Sequence, residues 1–286
     1  MNKDEALKLY EDKMSFRNLS PKTINMYKFY LGKYFDSIGK EDIFTLTIDD
    51  AVRYVADLKN SGKFKSQSLN LIISTIRCFN ELVLDINVSR SKFPLVKFKQ
   101  NQISIFSDEE IQLLLNHADL RLKTMIFLGI DCGLRVCEVA NLKISDIHSK
   151  EGFILIRESK RGKSRKVKLS DQCLHILRQY WKVYRPIDYF FPSPQKNKEG
   201  QPIVHQCINH LFRDLLKKVN LSEKNYCFHS LRHTYATHML EDDCDIFLLK
   251  KLLGHDSFSS TARYVHLTSH DIKSSFSPSD KRGYTL

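Results

Sequence analysis

The sequence predicts a mainly α-helical fold in two domains, with a small β-hairpin in the second. Three observations carry this. The chain has 286 residues, beyond the usual size of a single domain, so two cores are expected. Apolar residues recur at three- and four-residue spacing through most of the chain, as they do on one face of a helix. One region breaks that rhythm. The β-compatible runs 153–157 and 166–169 flank Ser159-Lys160-Arg161-Gly162-Lys163-Ser164, which reads as a hairpin with a basic tip.

The elements follow in order. Ser20-Pro21 opens a helix with an N-cap and a proline at the first position, and Tyr27, Tyr30, Leu31 and Tyr34 then line one face. Thr47-x-x-Asp50 opens the next in the manner of a capping box, with Asp in place of Glu or Gln. Val52, Val55, Ala56 and Leu58 form its expected stripe, and Gly62 lies just past its end. A third, long helix spans 66–84 with Leu69, Ile72, Ile73, Ile76, Phe79 and Leu82. Residues 92–101, with Pro94 and several basic or amide side chains, form the candidate linker. The division is drawn at 1–98 for the helical domain, 99–106 for the join and 107–286 for the second domain. There Ser107-x-x-Glu110 is a capping box, and helices are expected at 171–184, 204–219, 230–240 and 246–253. The segment after Leu267 is rich in Ser, Asp and Lys, with isolated Ile272, Phe276, Tyr284 and Leu286, and is expected to order only by docking.

A formal net charge of +12 points to a polyanionic partner: DNA, RNA or an anionic membrane. The seven cysteines are odd in number and contain no C-x-x-C pair, so a reducing compartment without a disulfide framework is expected. The N-terminus is charged and lacks an apolar signal core, and the longest apolar runs, such as 125–130, are too short to span a bilayer. A soluble, cytoplasmic protein is expected, which weakens the membrane reading of the charge.

The residues that suggest chemistry lie late in the chain: His229-x-x-Arg232, then His255 and Tyr264. Positions i and i+3 share a helix face, so His229 and Arg232 can point at one anion from the first turn of a helix. A phenol can serve as a nucleophile, and histidines can handle its proton. Upstream, Gly133 permits a tight turn after the apolar run, and Arg135 then starts a short helix with Glu138 one turn on. Glu138 can hold that helix or the guanidinium in place; the plainer reading is a surface pair of little worth. Cys227, His229, His233 and His238 invite a zinc reading, but no Glu follows His229 and no second ligand pair completes a site.

Taken together these motifs resemble the tyrosine recombinases, the phage-integrase and Xer-like family. Gly133-Leu134-Arg135-x-x-Glu138 with Leu142 resembles the family's first signature box. Phe228-His229-Ser230-Leu231-Arg232-His233-Thr234 resembles the second, and Leu252-Leu253-Gly254-His255-Asp256 with Thr261 and Tyr264 the third. The hairpin resembles the family's lysine-bearing β-turn. The likeness spans about 106–267, and the N-terminal region resembles the family's SAM-like core-binding domain. It implies a two-domain DNA clamp that cuts and rejoins double-stranded DNA at specific sites, for integration, excision or resolution. It also implies a covalent 3′-phosphotyrosine link, a free 5′-hydroxyl and a homo-tetramer on paired sites. On this reading Arg135 and Arg232 hold the phosphate and Tyr264 attacks. Lys160 protonates the leaving oxygen, with Lys163 and Lys166 as rivals. His229 assists at the tyrosine or the phosphate, His255 bonds a non-bridging oxygen, and no cofactor or metal is required. Phe276 or Leu286 is then expected to pack on a neighbouring protomer. Cys137 stands where the family commonly has Ser, Ser159 where Gly is common, and the tail lacks the amphipathic helix of some relatives. The competing reading is a non-catalytic DNA-binding protein on the same fold, against which stands the presence of every reactive position. A type IB topoisomerase would share the chemistry, but the compact two-domain layout favours recombination.

Overall fold

The computed structural model describes residues 1–17, 19–97, 103–157 and 164–265. The chain divides into two compact units, Met1–Asn101 and Gln102–Leu286. The fold is mainly helical with one small antiparallel sheet.

The first unit holds α1 (Lys3–Ser15), α2 (Pro21–Ile38), α3 (Ile48–Asn60) and α4 (Ser66–Val83). Helix α1 is opened by a capping box in which Asn2 and Glu5 satisfy each other's backbone N–H. Ser20 caps α2, and the Thr47–Asp50 box opens α3 as expected. Asp50 also accepts from Lys40 Nζ at 2.7 Å. That bond, with the Thr47 bonds, outweighs burial and holds its carboxyl at about 2. The stripe on α3 differs from the expectation. Ala51, Tyr54 and Val55 are buried with Leu58 packed beside them, while Val52, at 40%, and Ala56 are exposed. Steps of three and four from Ala51 meet the core, and Val52 lies about 100° away on the helix. The core is closed by Tyr10, Leu31, Tyr34, Phe35, Ile76 and Phe79.

The second unit runs α5 (Asp108–His117), α6 (Leu120–Asp131), α7 (Val136–Ala140), β1 (Ile147–His148), β2 (Phe153–Ile156) and β3 (Arg165–Lys168). It continues with α8 (Asp171–Tyr184), α9 (His205–Lys218), α10 (Phe228–Glu241), α11 (Ile246–Leu253) and α12 (Ser259–Val265). The expected hairpin is present, with Ile156 opposite Arg165. A two-residue third strand, β1, pairs with β2; it is too short to leave a pattern in the sequence. Helix α6 packs against α10 and α8. Gly129 makes the first contact close: a Cβ there would lie 3.0 Å from Leu231. A second apolar cluster of Tyr235, Ala236, Leu240, Leu249, Leu253 and Tyr264 joins α10, α11 and α12. All seven cysteines are free thiols. Among the described residues no helix is long and apolar enough to cross a membrane.

Several expectations fall outside the described residues: Ser159, Lys160 and Lys163 at the hairpin tip, residue 98 at the end of the helical domain, residues 99–102 of the join, and Phe276 and Leu286 of the tail.

Candidate active site

The turn after α6 sets the site's first edge. Gly133 takes φ +63°, and a Cβ there would sit 2.5 Å from the Tyr235 ring. This turn aims the Gly133 carbonyl at Arg232, whose Nη1 donates to it at 2.8 Å. Gly133→Ala is therefore expected to cost about 1–2 kcal/mol in backbone strain alone, before the clash with Tyr235. Thermal unfolding of the variant checks it; an unchanged melting temperature would count against the role of this turn.

Arg135 is the N-cap of α7. Its backbone N–H donates to Glu138 Oε2 at 2.8 Å and its Nη1 to Oε1 at 2.8 Å. The Glu138 side chain is only 10% exposed, so this is no surface pair. Arg165, on β3, donates to both carboxylate oxygens at 2.8 and 2.7 Å. Arg232, with 0% exposure, comes within 3.8 Å of Oε2. Burial would raise the Glu138 carboxyl, but the Arg165 fork and charge, the Arg135 N–H and the Arg232 charge hold it at about 2.

That depressed value has a sign. The carboxylate stabilises the fold fully above its unfolded value near 4.5, and the contribution is lost as pH falls toward 2. At neutral pH it is worth roughly 3 kcal/mol. Melting temperature should fall more steeply between about pH 4.5 and 2 in the parent than in Glu138→Gln; parallel curves would refute the linkage.

The same arginines meet the end of α11. Arg165 Nε donates to Leu252 O at 2.7 Å, Arg232 Nη2 to Leu253 O, and Arg135 Nη2 to Gly254 O at 3.1 Å. The last carbonyls of a helix lack intrahelical partners and carry its negative end, so cations suit them. Here three successive carbonyls each take a different guanidinium. Among the described residues these three cations meet on the Glu138 carboxylate. Burial, then the Arg135 charge, press Arg232 down to about 9, still well above neutral pH, so it stays cationic. Its Nε is buried and has no hydrogen-bond partner among the described residues.

The other side of the site is built on α10 and α12. Tyr264 is 1% exposed, and its Oη lies 2.9 Å from His233 Nδ1. Burial raises the phenol above its usual range despite Arg232, Arg263 and Arg135. Burial, then His229 and the nearby arginines, hold His233 at about 4. With its proton on Nε2, a neutral His233 accepts the phenol hydrogen. The His229 ring meets His233 edge-on at 4.5 Å, and its imidazole is likewise lowered, by desolvation and then by Arg232 and Arg135. His255 Nδ1 lies 2.9 Å from Thr261 Oγ1, and its ring runs near-parallel to Tyr264 at 6.3 Å. Burial, then Arg232, press His255 to about 3.

The structure thus brings Arg135, Arg232, His229, His255 and Tyr264 into one region, and adds two residues that sequence reasoning missed. His233 entered the zinc reading and the second box without a role of its own, yet it meets the phenol. Arg165 lies between the basic tip and the second run and drew no reading from the sequence. Its signal was alternation: β3 buries Arg165 and Val167 and exposes Lys166 and Lys168. Lys166, a rival for the acid role, lies on the outward face over the Phe153 ring. Among the described residues, the metal-type donors that converge in a group of three are Asp131, Cys132 and Cys173, not the set around His229.

Residues 104–270 match the phage integrase family, and residues 7–90 its N-terminal SAM-like domain. The chain belongs to the phage integrase family. This integrase-family chain is 31% identical over 272 residues to the tyrosine recombinase XerA of Pyrococcus horikoshii, covering 94% of this chain and 91% of that one. It is 31% identical to the putative integrase/recombinase y4qK of Sinorhizobium fredii, over 93% of this chain and 85% of the relative. A solved Tn1549 transposon integrase in complex with transposon right end DNA shares the fold, with a TM-score of 0.73, 15% identity and 97% of each chain covered. A λ integrase dimer on a core site gives a TM-score of 0.72, 18% identity and coverage of 96% and 99%. The enzyme is a tyrosine-type site-specific recombinase, a catalyst of DNA strand breakage and rejoining.

Proposed function

We propose that Tyr264 is the nucleophile of this recombinase and that Arg135 and Arg232 bind the scissile phosphate of duplex DNA. The observation that carries this reading is the pairing of an arginine cluster around one buried carboxylate with a tyrosine whose phenol faces a neutral histidine. Tyr264 Oη attacks phosphorus in line, its proton passes to His233, and the 5′-oxygen leaves as a 3′-phosphotyrosyl bond forms. The departing alkoxide takes a proton from Lys160 at the hairpin tip. The phosphoester energy is kept in the new bond, so the 5′-hydroxyl can reverse the step. Arg135 is open enough to meet the phosphate first. The unpartnered Arg232 Nε is the donor that a non-bridging oxygen would complete. His255 adds a further hydrogen bond to the phosphate.

The helical domain of residues 1–98 grips the duplex together with the catalytic domain of 107–286, and four protomers act on two paired sites. The net charge and the free cysteines support a DNA partner and a cytoplasmic setting. Affinity for duplex DNA should drop by about 10³-fold or more between about 50 and 200 mM salt, read by fluorescence anisotropy. A flat salt profile would remove the phosphate contacts.

The test of the nucleophile is direct. The full-length protein selects a binding site from a random-sequence duplex pool, and that site is rebuilt with a nick that lets the cleaved strand diffuse away. The trapped protein–DNA adduct is digested and the DNA-linked peptide sequenced. Attachment at Tyr264 is expected; attachment at another residue, or no adduct, overturns the proposal.

A further inference from the structure

We infer that Arg165 is a positioning residue for recombination: it occupies the Glu138 carboxylate so that Arg135 and Arg232 keep their charge for the phosphate, and it ties the hairpin to the turn that presents His255. The inference rests on the assignment of Arg135 and Arg232 to the phosphate.

A carboxylate offers about four acceptor sites. At Glu138 the Arg165 fork fills two, and the Arg135 N–H and Nη1 fill the others. Arg232 is left at 3.8 Å, close enough to feel the charge and too far to be bonded by it. Without Arg165 the freed oxygens can swing onto Arg232, closing that gap and competing with the phosphate for the same guanidinium. In a buried site such competition is strong, because the local dielectric is low. Arg165 is 8% exposed, so water does not substitute for it.

The third contact of Arg165 gives it reach. Its Nε holds Leu252 O, the first of the three carbonyls at the end of α11, three residues before His255. Gly254 then turns through φ +64°, and His255 follows. Arg165 also begins β3, directly after the hairpin tip. One planar guanidinium therefore joins the strand leaving the tip, the carboxylate beside Arg135 and the helix end before His255. An ammonium cannot make these three bonds, because it lacks the planar fork.

The test uses the full-length protein and the nicked duplex selected from the random pool, in single-turnover cleavage. Arg232→Met and Tyr264→Phe serve as controls: if Arg232→Met cleaves at the parental rate the phosphate assignment falls, and if Tyr264→Phe does the nucleophile assignment falls, whatever Arg165 does. With Tyr264→Phe inactive and Arg232→Met slowed, Arg165→Met should cleave about 10²-fold more slowly than the parent with unchanged affinity for the duplex. Arg165→Lys should recover only a small part of that loss. The decisive reading is a change of sign. Glu138→Gln should slow the enzyme when Arg165 is present, and speed it in the Arg165→Met background, where it removes an unmatched carboxylate. A merely structural Arg165 would leave the double variant as slow as Arg165→Met or slower, and that result overturns the inference. So does a parental rate for Arg165→Met. If Arg165→Met does not fold, the pair Arg165→Lys and Arg165→Lys with Glu138→Gln carries the same sign test.

Discussion

Tyr264→Phe should leave no covalent adduct on the nicked duplex, while folding and DNA affinity stay near the parental level. The phenyl ring sits in the cluster that joins α10, α11 and α12, and phenylalanine fills that space without rearrangement. What is lost is one hydrogen bond to His233, worth about 1 kcal/mol. The chemistry has no comparable reserve, because the attacking oxygen itself is gone. Denaturing gels of the trapped reaction report the adduct, and thermal unfolding reports the fold. An adduct that persists in Tyr264→Phe would take Tyr264 out of the mechanism.

Arg232→Met should slow strand cleavage by about 10²–10³-fold, the effect of deleting one preorganised donor from the charge that builds on the phosphate. Methionine matches much of the side-chain volume, so packing changes little. The Gly133 and Leu253 carbonyls lose their donor, at a cost of about 1–3 kcal/mol each if nothing replaces it. Removing a buried cation beside Arg135 offsets part of that cost, since Arg135 lowers the Arg232 pKa. Rate should therefore fall far more than stability. A variant that cleaves within a few-fold of the parent would show that Arg232 only braces the end of α11.

Much of the site was legible because its residues are reactive types at fixed spacing. His229 and Arg232 share a helix face, and Arg135 with Glu138 sits one turn apart, so local geometry relates each pair. The capping boxes at Thr47 and Ser107 and the helix opening at Ser20 were legible for the same reason: a cap is a local bond. What escaped depends on distant contacts. Arg165 meets Glu138 across 27 residues and Leu252 across 87, and nothing within five residues of it signals either. His233 gains its role only when α12 brings Tyr264 back across 31 residues. Helix α1 was missed although its Asn2–Glu5 box is present in the sequence, because a charged N-terminus without an apolar core was read only for targeting. The expected stripe on α3 went wrong by one position, since Val52 and Ala51 are adjacent apolar residues and only packing separates them.

The three guanidiniums at the end of α11 have a consequence for synthesis of the chain. Arg135, Arg165 and Arg232 are made before the carbonyls of Leu252, Leu253 and Gly254 that fix them, and Tyr264 comes later still. A ribosome-bound chain that has emerged only to residue 250 holds all three guanidiniums and none of the three carbonyls that fix them. The arginine cluster on which the proposed chemistry depends therefore cannot close until the end of α11 has been made.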